Sequence, residues 1–254
     1  MRDQRDPGRE YVAPVQRWRI RYAKRGRLRF ASHRDFQRAL ERALRRAQVP
    51  MAYSAGFRPH PKISYANAVP TGAASEAEYL EIGVASEISP DVLAIELDRA
   101  LPDGFDIVEV VLAGAGDLIA QLQASVWMIE LPGFAGSTAQ VAIDDLLAAE
   151  QLLVERVTKS GRKELDVRAS ISGMRIRGNP QSQLPCAIID LVLTHATPSV
   201  RPQDVLAALW RVGNIAPPKP PRVTRLAQGL LAAGAWDVSD PLAPDRAGSM
   251  HAKP

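Results

Sequence analysis

The sequence predicts an α+β fold of two tandem ferredoxin-like units, in which antiparallel sheets carry helices on one face. Three observations support this class. The chain has 254 residues, of which 46% are apolar, which is enough for two small domains with separate cores. Strand-type and helix-type patterns follow each other in the order strand, helix, strand, strand, helix, strand. A looser copy of this order occurs in the second half of the chain.

The first predicted unit covers residues 15–113. Its first strand, at residues 16–22, alternates between apolar residues and arginines, as a half-buried strand does. Ser32, with Asp35 three residues later, is typical of a capping box and predicts a helix that ends near residue 47. Two extended segments, a second helix and a final strand complete the unit, at about residues 51–69, 77–85, 89–101 and 105–112.

The second predicted unit covers residues 124–238. It begins with a strand at residues 125–131 and a long helix at residues 137–157. Two further strands, a helix and a last short strand follow, at residues 164–177, 187–195, 202–212 and 236–238. Residues 1–14 and 239–254 are rich in charge, proline and glycine and lack apolar periodicity, so we expect disorder at both ends.

The composition excludes several classes of function. The single cysteine, Cys186, excludes an internal disulfide, a thiolate zinc site and a cysteine-ligated iron–sulfur cluster. Four scattered histidines make no metal-binding pattern and the P-loop pattern is absent, so we expect no metal and no cofactor. Because neither a long apolar run nor a signal-peptide pattern occurs, the sequence predicts a cytoplasmic protein without a membrane segment.

The charges are segregated along the chain. Residues 15–65 contain fourteen basic residues and two acidic ones, whereas residues 66–112 contain ten acidic residues and one arginine. This asymmetry favours a surface that binds a polyanion, with an acidic face at residues 76–109. The alternative is that the basic residues are solvated and scattered over several faces.

The first predicted helix has an apolar face and, opposite it, a row of arginines. Guanidinium groups match phosphate oxygens with paired hydrogen bonds, so such a row suits the backbone of a nucleic acid, although nothing in it reads bases. The alternative is a solvated helix face on which Arg38 or Arg45 pairs with Glu41. The predicted backbone contacts are Arg34, Arg38, Arg42 and Arg45.

The segment GFRPHPKISY holds a histidine between two prolines, which restrict the backbone on both sides of it. Its imidazole could stack on a base, bind a phosphate or act as a general base. The alternative is an exposed loop residue, with Phe57 and Tyr65 in the core. We expect contacts to a loop or single-stranded base from Arg58, His60, Lys62 and Tyr65.

Residues 24–82 resemble the signature region of the radical-SAM-linked conserved protein family. The matching residues are Arg29, Phe30, Ser32, His33, Asp35, Gly56, Phe57, Pro59, Pro61, Ile63, Ser64, Tyr65, Ser75, Glu78 and Tyr79. The resemblance implies a domain that occurs fused to, or separate from, a radical-SAM protein with a cobalamin-type domain. This chain is similar to the free-standing form, since it lacks the cysteine triad that holds the cluster. The motif marks positions and implies no mechanism.

The leading hypothesis is a non-catalytic RNA-binding accessory protein in RNA modification or processing, acting with a radical-SAM or ribonuclease partner. A second hypothesis is a metal-independent endoribonuclease that uses His60 or His33 as its base. His33 falls on the apolar side of the predicted helix, which favours a buried or capping role for it. A third hypothesis is a protein-interaction adaptor that docks a basic partner on its acidic face.

Overall fold

The computed structural model describes residues 13–55, 57–158, 161–178, 186–234 and 236–251. The predicted disordered N-terminus therefore lies outside the described residues, apart from its last two positions. The chain divides into two compact units. Unit 1 contains the residues up to 71, residues 77–117 and those from 242 onward, and unit 2 contains residues 72–76 and 118–241.

Unit 1 follows the predicted order of elements closely. Its chain passes through β1 (Gln16–Lys24), α1 (His33–Arg46), β2 (Ile63–Ala66), β3 (Ala74–Val84), α2 (Pro90–Ala100) and β4 (Phe105–Leu112), the first three residues of β3 belonging to unit 2. The strands lie in the order β4, β1, β3, β2. The pairs β1–β4 and β2–β3 are antiparallel.

The core of unit 1 lies between this sheet and the two helices. Trp18, Ile20 and Tyr22 point from β1 into this core, as their alternation predicts. Helix α1 contributes Phe36, Leu40 and Leu44 to the same core. The rings of Tyr22 and Phe36 stack, with centroids 4.1 Å apart. We call the side of the sheet that α1 and α2 cover its first face, and the opposite side its second face.

Unit 2 has a similar order of elements with one insertion. Its elements are β5 (Ala124–Pro132), α3 (Gly136–Ala148), β6 (Leu153–Thr158), β7 (Gly161–Asp166), β8 (Ile171–Ile176), β9 (Cys186–Thr194), α4 (Pro202–Val212) and β10 (Arg222–Gly229). The main sheet has the order β10, β5, β9, β8, with each neighbouring pair antiparallel. Strands β6 and β7 form a separate two-stranded hairpin.

Three predicted elements of unit 2 differ from the structure. The long helix expected at residues 137–157 ends at Ala148, and the residues after it form β6, in which Val157 is 76% exposed. The strand expected at residues 164–177 is divided between β7 and β8 by a 3-10 turn at Arg168–Ser170. The last strand is β10, whereas residues 236–238 contribute a single bridge, from Val238 to Leu231.

The C-terminal segment contains a helix where we expected disorder. Helix α5 (Ala243–His251) lies in unit 1 and contacts β4. Asp245 is 2% exposed and binds Arg19, whose side chain points away from Trp18 and Ile20. Helix α5 therefore covers part of the second face, so the helices of unit 1 do not all lie on one face. Its formation depends on buried charges, not on apolar periodicity.

Both units combine a mainly antiparallel sheet with helices, which confirms the predicted α+β class. In unit 2, α3 and α4 contact each other, and α3 also contacts β8 and β9. None of the helices in the described part of the chain is long and apolar enough to cross a membrane.

Candidate nucleic-acid interface

The arginines of α1 form an exposed row, which we call the basic face. The helix begins with a capping box, since the Asp35 N–H donates to Ser32 Oγ (3.2 Å) and the Ser32 N–H donates to the Asp35 carboxylate (3.0 Å). Ser32 Oγ also donates to the Asp35 carboxylate (2.7 Å), and this bond, together with the one from the Ser32 N–H, holds the pKa of Asp35 below its usual value. With 3.6 residues per turn, positions 34, 38, 42 and 45 fall within one arc. The four exposed residues are Arg34, Arg38, Arg42 and Arg45.

The basic face has two acidic neighbours on α1, Asp35 and Glu41. The Arg38 and Arg34 charges help to lower the pKa of the Asp35 carboxylate, but within the described residues they form no ion pair with it. Glu41 lies one turn from both Arg38 and Arg45, but within the described chain it makes no ion pair with either. Arg46, on the flank, donates to the Ala100 carbonyl (3.2 Å) and so fixes α1 against the end of α2. Four guanidinium groups thus face solvent over about 17 Å of helix.

The segment after α1 includes residues 53–55 and 57–60, which we call the proline loop. The Ser54 N–H donates to the His60 carbonyl (2.8 Å), and the His60 N–H donates to Ser54 Oγ (3.0 Å). A bridge between Tyr53 and Pro61 closes its base. Arg58 and His60 are exposed, which fits both the predicted contact role and the alternative of an exposed loop residue. Phe57 is 96% exposed, so it is not a core residue.

Lys62 lies on the second face of the sheet, away from the basic face. Lys62 lines an open groove of about 450 Å³ there, together with Pro14, Arg17, Ser64, Glu81 and Gly83. The Arg17 guanidinium pairs with Glu81 in this groove (3.3 Å). Because β2 alternates its side chains between the two faces, Lys62 and Tyr65 point in opposite directions. The predicted group of four contact residues is therefore divided.

Tyr65 is a half-buried residue of the first face. Its ring meets His33 edge-on, with centroids 5.0 Å apart, and Phe36 at 6.2 Å. Burial raises the pKa of the Tyr65 phenol far above its usual value, and the Glu41 carboxylate raises it further. Tyr65 thus packs against the N-terminal end of α1, and its ring is only partly exposed.

His33 is the first residue of α1 and sits partly buried beside two buried charges. Burial lowers its pKa, the Glu78 carboxylate acts to raise it, and the Lys24 ammonium acts to lower it. Glu78 is 2% exposed and accepts a hydrogen bond from the Val69 N–H (2.9 Å), while Lys24 is 5% exposed. Sequence reasoning missed both charges. Lys24 continues the alternation of Trp18, Ile20 and Tyr22, and this signal could have placed it on the buried face.

The two histidines considered as general bases belong to different elements. His33 begins α1, whereas His60 belongs to the proline loop. Within the described residues, no group of three or more His, Cys, Asp or Glu side chains is placed to hold a metal ion.

Unit 2 contains a serine–histidine pair that the sequence did not indicate. His195 Nδ1 lies 2.7 Å from the Leu122 carbonyl and Nε2 lies 3.0 Å from Ser125 Oγ. Since a carbonyl only accepts, Nδ1 carries the proton, and Ser125 can donate to Nε2. The Trp127 indole N–H donates to the same hydroxyl (2.8 Å). Ser125 is 1% exposed, so this pair fastens β5 to the end of β9 and offers no accessible nucleophile.

Several of the acidic residues between 76 and 109 are used inside unit 1. Glu81 pairs with Arg17 and Arg19, Asp106 with Arg25, and Glu109 with Arg246. The Asp98 carboxylate accepts from the Ile107 N–H (2.7 Å). Glu81, Asp106 and Glu109 thus neutralise arginines of the second face and of the loops. None of these carboxylates pairs with an arginine of the basic face.

Comparisons with known proteins identify one family. The family described as "Uncharacterized protein conserved in bacteria (DUF2344)" matches residues 17–202. This range covers unit 1 from the second residue of β1 to the end of β4, and unit 2 from β5 to β9. It ends at the first residue of α4, so β10 and α5 lie beyond it. A search of curated proteins found no match. The matching description names no activity and no link to radical-SAM enzymes.

Proposed function

We propose, from the premise that this chain belongs to the uncharacterized bacterial family DUF2344, that the protein is a non-catalytic RNA-binding accessory protein. It acts in RNA modification or processing in the cytoplasm. The basic face and the proline loop, both in unit 1, supply the contacts.

One observation carries this proposal. Four arginines lie exposed on one arc of α1, and within the described chain none of them has an ion-pair partner. Because these arginines form no ion pair, none has to be broken before the surface binds an external polyanion. Residues spaced four apart on a helix advance about 6 Å, so the row can follow successive phosphates of one strand.

The architecture gives secondary support. Each unit reads β-α-β-β-α-β when the β6–β7 hairpin is treated as an insertion, and each sheet has its strands in the order fourth, first, third, second. We assign both units to the ferredoxin-like class on this order. Several RNA-binding modules use a four-stranded sheet with two helices, although this fold also serves unrelated functions.

The proposal also includes a partner enzyme. The motif between residues 24 and 82 resembles that of domains found with radical-SAM proteins, and a chain without catalytic machinery needs an enzyme to act on the RNA it holds. We therefore propose a radical-SAM or ribonuclease partner.

RNA binding as a function of salt tests the basic face. The quadruple variant Arg34→Glu, Arg38→Glu, Arg42→Glu, Arg45→Glu should bind a structured RNA at least tenfold more weakly than the wild type at about 0.1 M salt. The decrease of its log affinity with log salt concentration should become less steep, by about 3 in the slope, since each lost phosphate contact removes roughly 0.7. Fluorescence anisotropy with labelled RNA measures both.

A matched control reverses the same amount of charge elsewhere. Arg162, Lys163, Arg211 and Lys219 are exposed residues of unit 2, and their replacement by Glu should leave the slope nearly unchanged. Equal affinity of the wild type and the basic-face variant would contradict the proposal, as would equal loss in the control. RNA incubated with the wild type in EDTA should stay intact. Cleavage to 2′,3′-cyclic ends that His60→Ala abolishes would support the endoribonuclease instead.

A further inference from the structure

Phe57 is the most exposed of the large apolar side chains in the described chain, at 96%, followed by Val157 at 76%. Burying such a side chain would stabilise a protein, because it removes a large apolar area from water. Single exposed apolar residues are common on protein surfaces, so exposure alone implies nothing. The closed loop that carries Phe57 and the basic residues near it in the sequence give its exposure a meaning.

The proline loop presents Phe57 on a closed base. The hydrogen bonds between Ser54 and His60 join the two sides of the loop, and the Lys62 N–H donates to the Ala52 carbonyl (2.8 Å) below them. Pro59 and Pro61 restrict the backbone that leads away from the ring. A ring presented in this way loses little conformational entropy when it is bound, because Phe has two side-chain torsions and the loop base is already ordered.

The stretch of sequence that contains Phe57 carries charge of a single sign. No acidic residue occurs between Glu41 and Glu76, and this stretch contains Arg42, Arg45, Arg46, Arg58 and Lys62. Arg58 is exposed directly beside Phe57. An apolar partner protein would not require this concentration of positive charge, whereas a base joined to phosphates would use both the ring and the cations.

We infer that Phe57 stacks on an unpaired base, so that the substrate class is RNA with a single-stranded segment. This inference rests on the proposed function. Bases inside a duplex are stacked on each other and expose no face to a protein ring, whereas bases of loops, bulges and ends do. The basic face follows the backbone, and Phe57 holds a base of the unpaired segment.

Binding of two labelled RNAs tests the inference. The probes are an unstructured 12-nucleotide RNA and a blunt duplex of the same sequence. Phe57→Ala should bind the single strand about ten- to a hundredfold more weakly than the wild type, because base–aromatic stacking has that magnitude. Its affinity for the duplex and its salt slope should not change, and Phe57→Trp should restore the single-strand affinity.

Phe30→Ala is the matched control, since Phe30 is a second exposed phenylalanine of unit 1, at 61%. It should bind the single strand like the wild type. Unchanged binding by Phe57→Ala, or equal loss in Phe30→Ala, would overturn the inference while the proposed function stands. A wild type that binds neither RNA would overturn both. Binding of anionic lipid vesicles that Phe57→Ala abolishes, with RNA binding unaffected, would identify Phe57 as a membrane contact and overturn the inference.

Discussion

Arg19 and Asp245 form a buried ion pair although 226 positions separate them in the sequence. Their side chains are 3% and 1% exposed, and Arg19 Nη1 donates to both carboxylate oxygens at 2.9 Å. Arg19 also binds Glu81, and Asp245 also accepts from the Gly114 N–H (2.8 Å). Burial disfavours the charged guanidinium, but the two carboxylates raise the pKa of Arg19 above its ordinary value.

Asp245→Ala should therefore lower the free energy of unfolding of unit 1 by roughly 3–5 kcal/mol, because it leaves the Arg19 charge buried without its main partner. Chemical denaturation followed by circular dichroism measures this loss. Glu96→Gln is the control: Glu96 forms an exposed pair with Arg99, and its loss should change the free energy by at most about 0.5 kcal/mol. A similar small change in Asp245→Ala would show that α5 adds nothing to the stability of unit 1.

His195 makes the stability of unit 2 depend on pH. Burial, and secondarily the Arg225 charge, lower its pKa below the ordinary value of 6.5, although the hydrogen bond to the Leu122 carbonyl opposes them. As pH falls below about 6.5, the unfolded chain takes up a proton that the folded unit does not, so stability falls. Above that value both states are neutral and the effect vanishes.

We expect His195→Asn, whose amide can still donate to the Leu122 carbonyl, to reduce the loss of stability between pH 7.5 and pH 5. Denaturation at both pH values measures the difference, and the Cε1–H resonance of His195 in the wild type should titrate below pH 6.5. Titration at or above 6.5, or an unchanged pH dependence in the variant, would contradict this account.

Helix α1 is the element that the sequence predicts best. Ser32 and Asp35 predicted its start, and the structure contains both hydrogen bonds of the capping box. The expected end near residue 47 agrees with the observed end at Arg46. The apolar and arginine faces also follow from periodicity, since both depend on local spacing alone.

Ser32→Ala should lower the free energy of unfolding of unit 1 by about 1 kcal/mol, because the first turn of α1 loses its side-chain acceptor. Ser64→Ala, at an exposed position of β2, is the control and should stay within about 0.5 kcal/mol of the wild type. Equal effects of the two substitutions in chemical denaturation would show that the cap does not stabilise the helix.

Other elements could not be predicted because tertiary contacts determine them. Strand β10 contains the buried polar residues Arg225 and Gln228, which break the apolar alternation that marks a strand. Helix α5 has no apolar face, and its position depends on Asp245 and on the bidentate pair between Arg246 and Glu109. Of the candidate site, the exposed arginines and His60 follow from sequence. The opposite orientations of Lys62 and Tyr65 could be assigned only once the bounds of β2 were known.

At the scale of the whole chain, segregated charge has two uses. Part of the basic segment pairs with the acidic segment inside unit 1, as Arg17 and Arg19 do with Glu81. The arginines of the basic face form no ion pair within the described residues, so α1 presents positive charge that the acidic segment does not neutralise. Glu81, Glu96, Asp106 and Glu109 pair with arginines of the same unit, so part of the acidic surface that the adaptor hypothesis requires is already used inside unit 1.

Ultraviolet crosslinking of the full chain to RNA in cells, followed by mass spectrometry of the crosslinked peptides, tests the central claim most directly. The account predicts nucleotides attached to peptides from residues 33–62, and their loss in the basic-face variant. Crosslinks confined to residues 118–241, or equal crosslinking of the variant and the wild type, would contradict it.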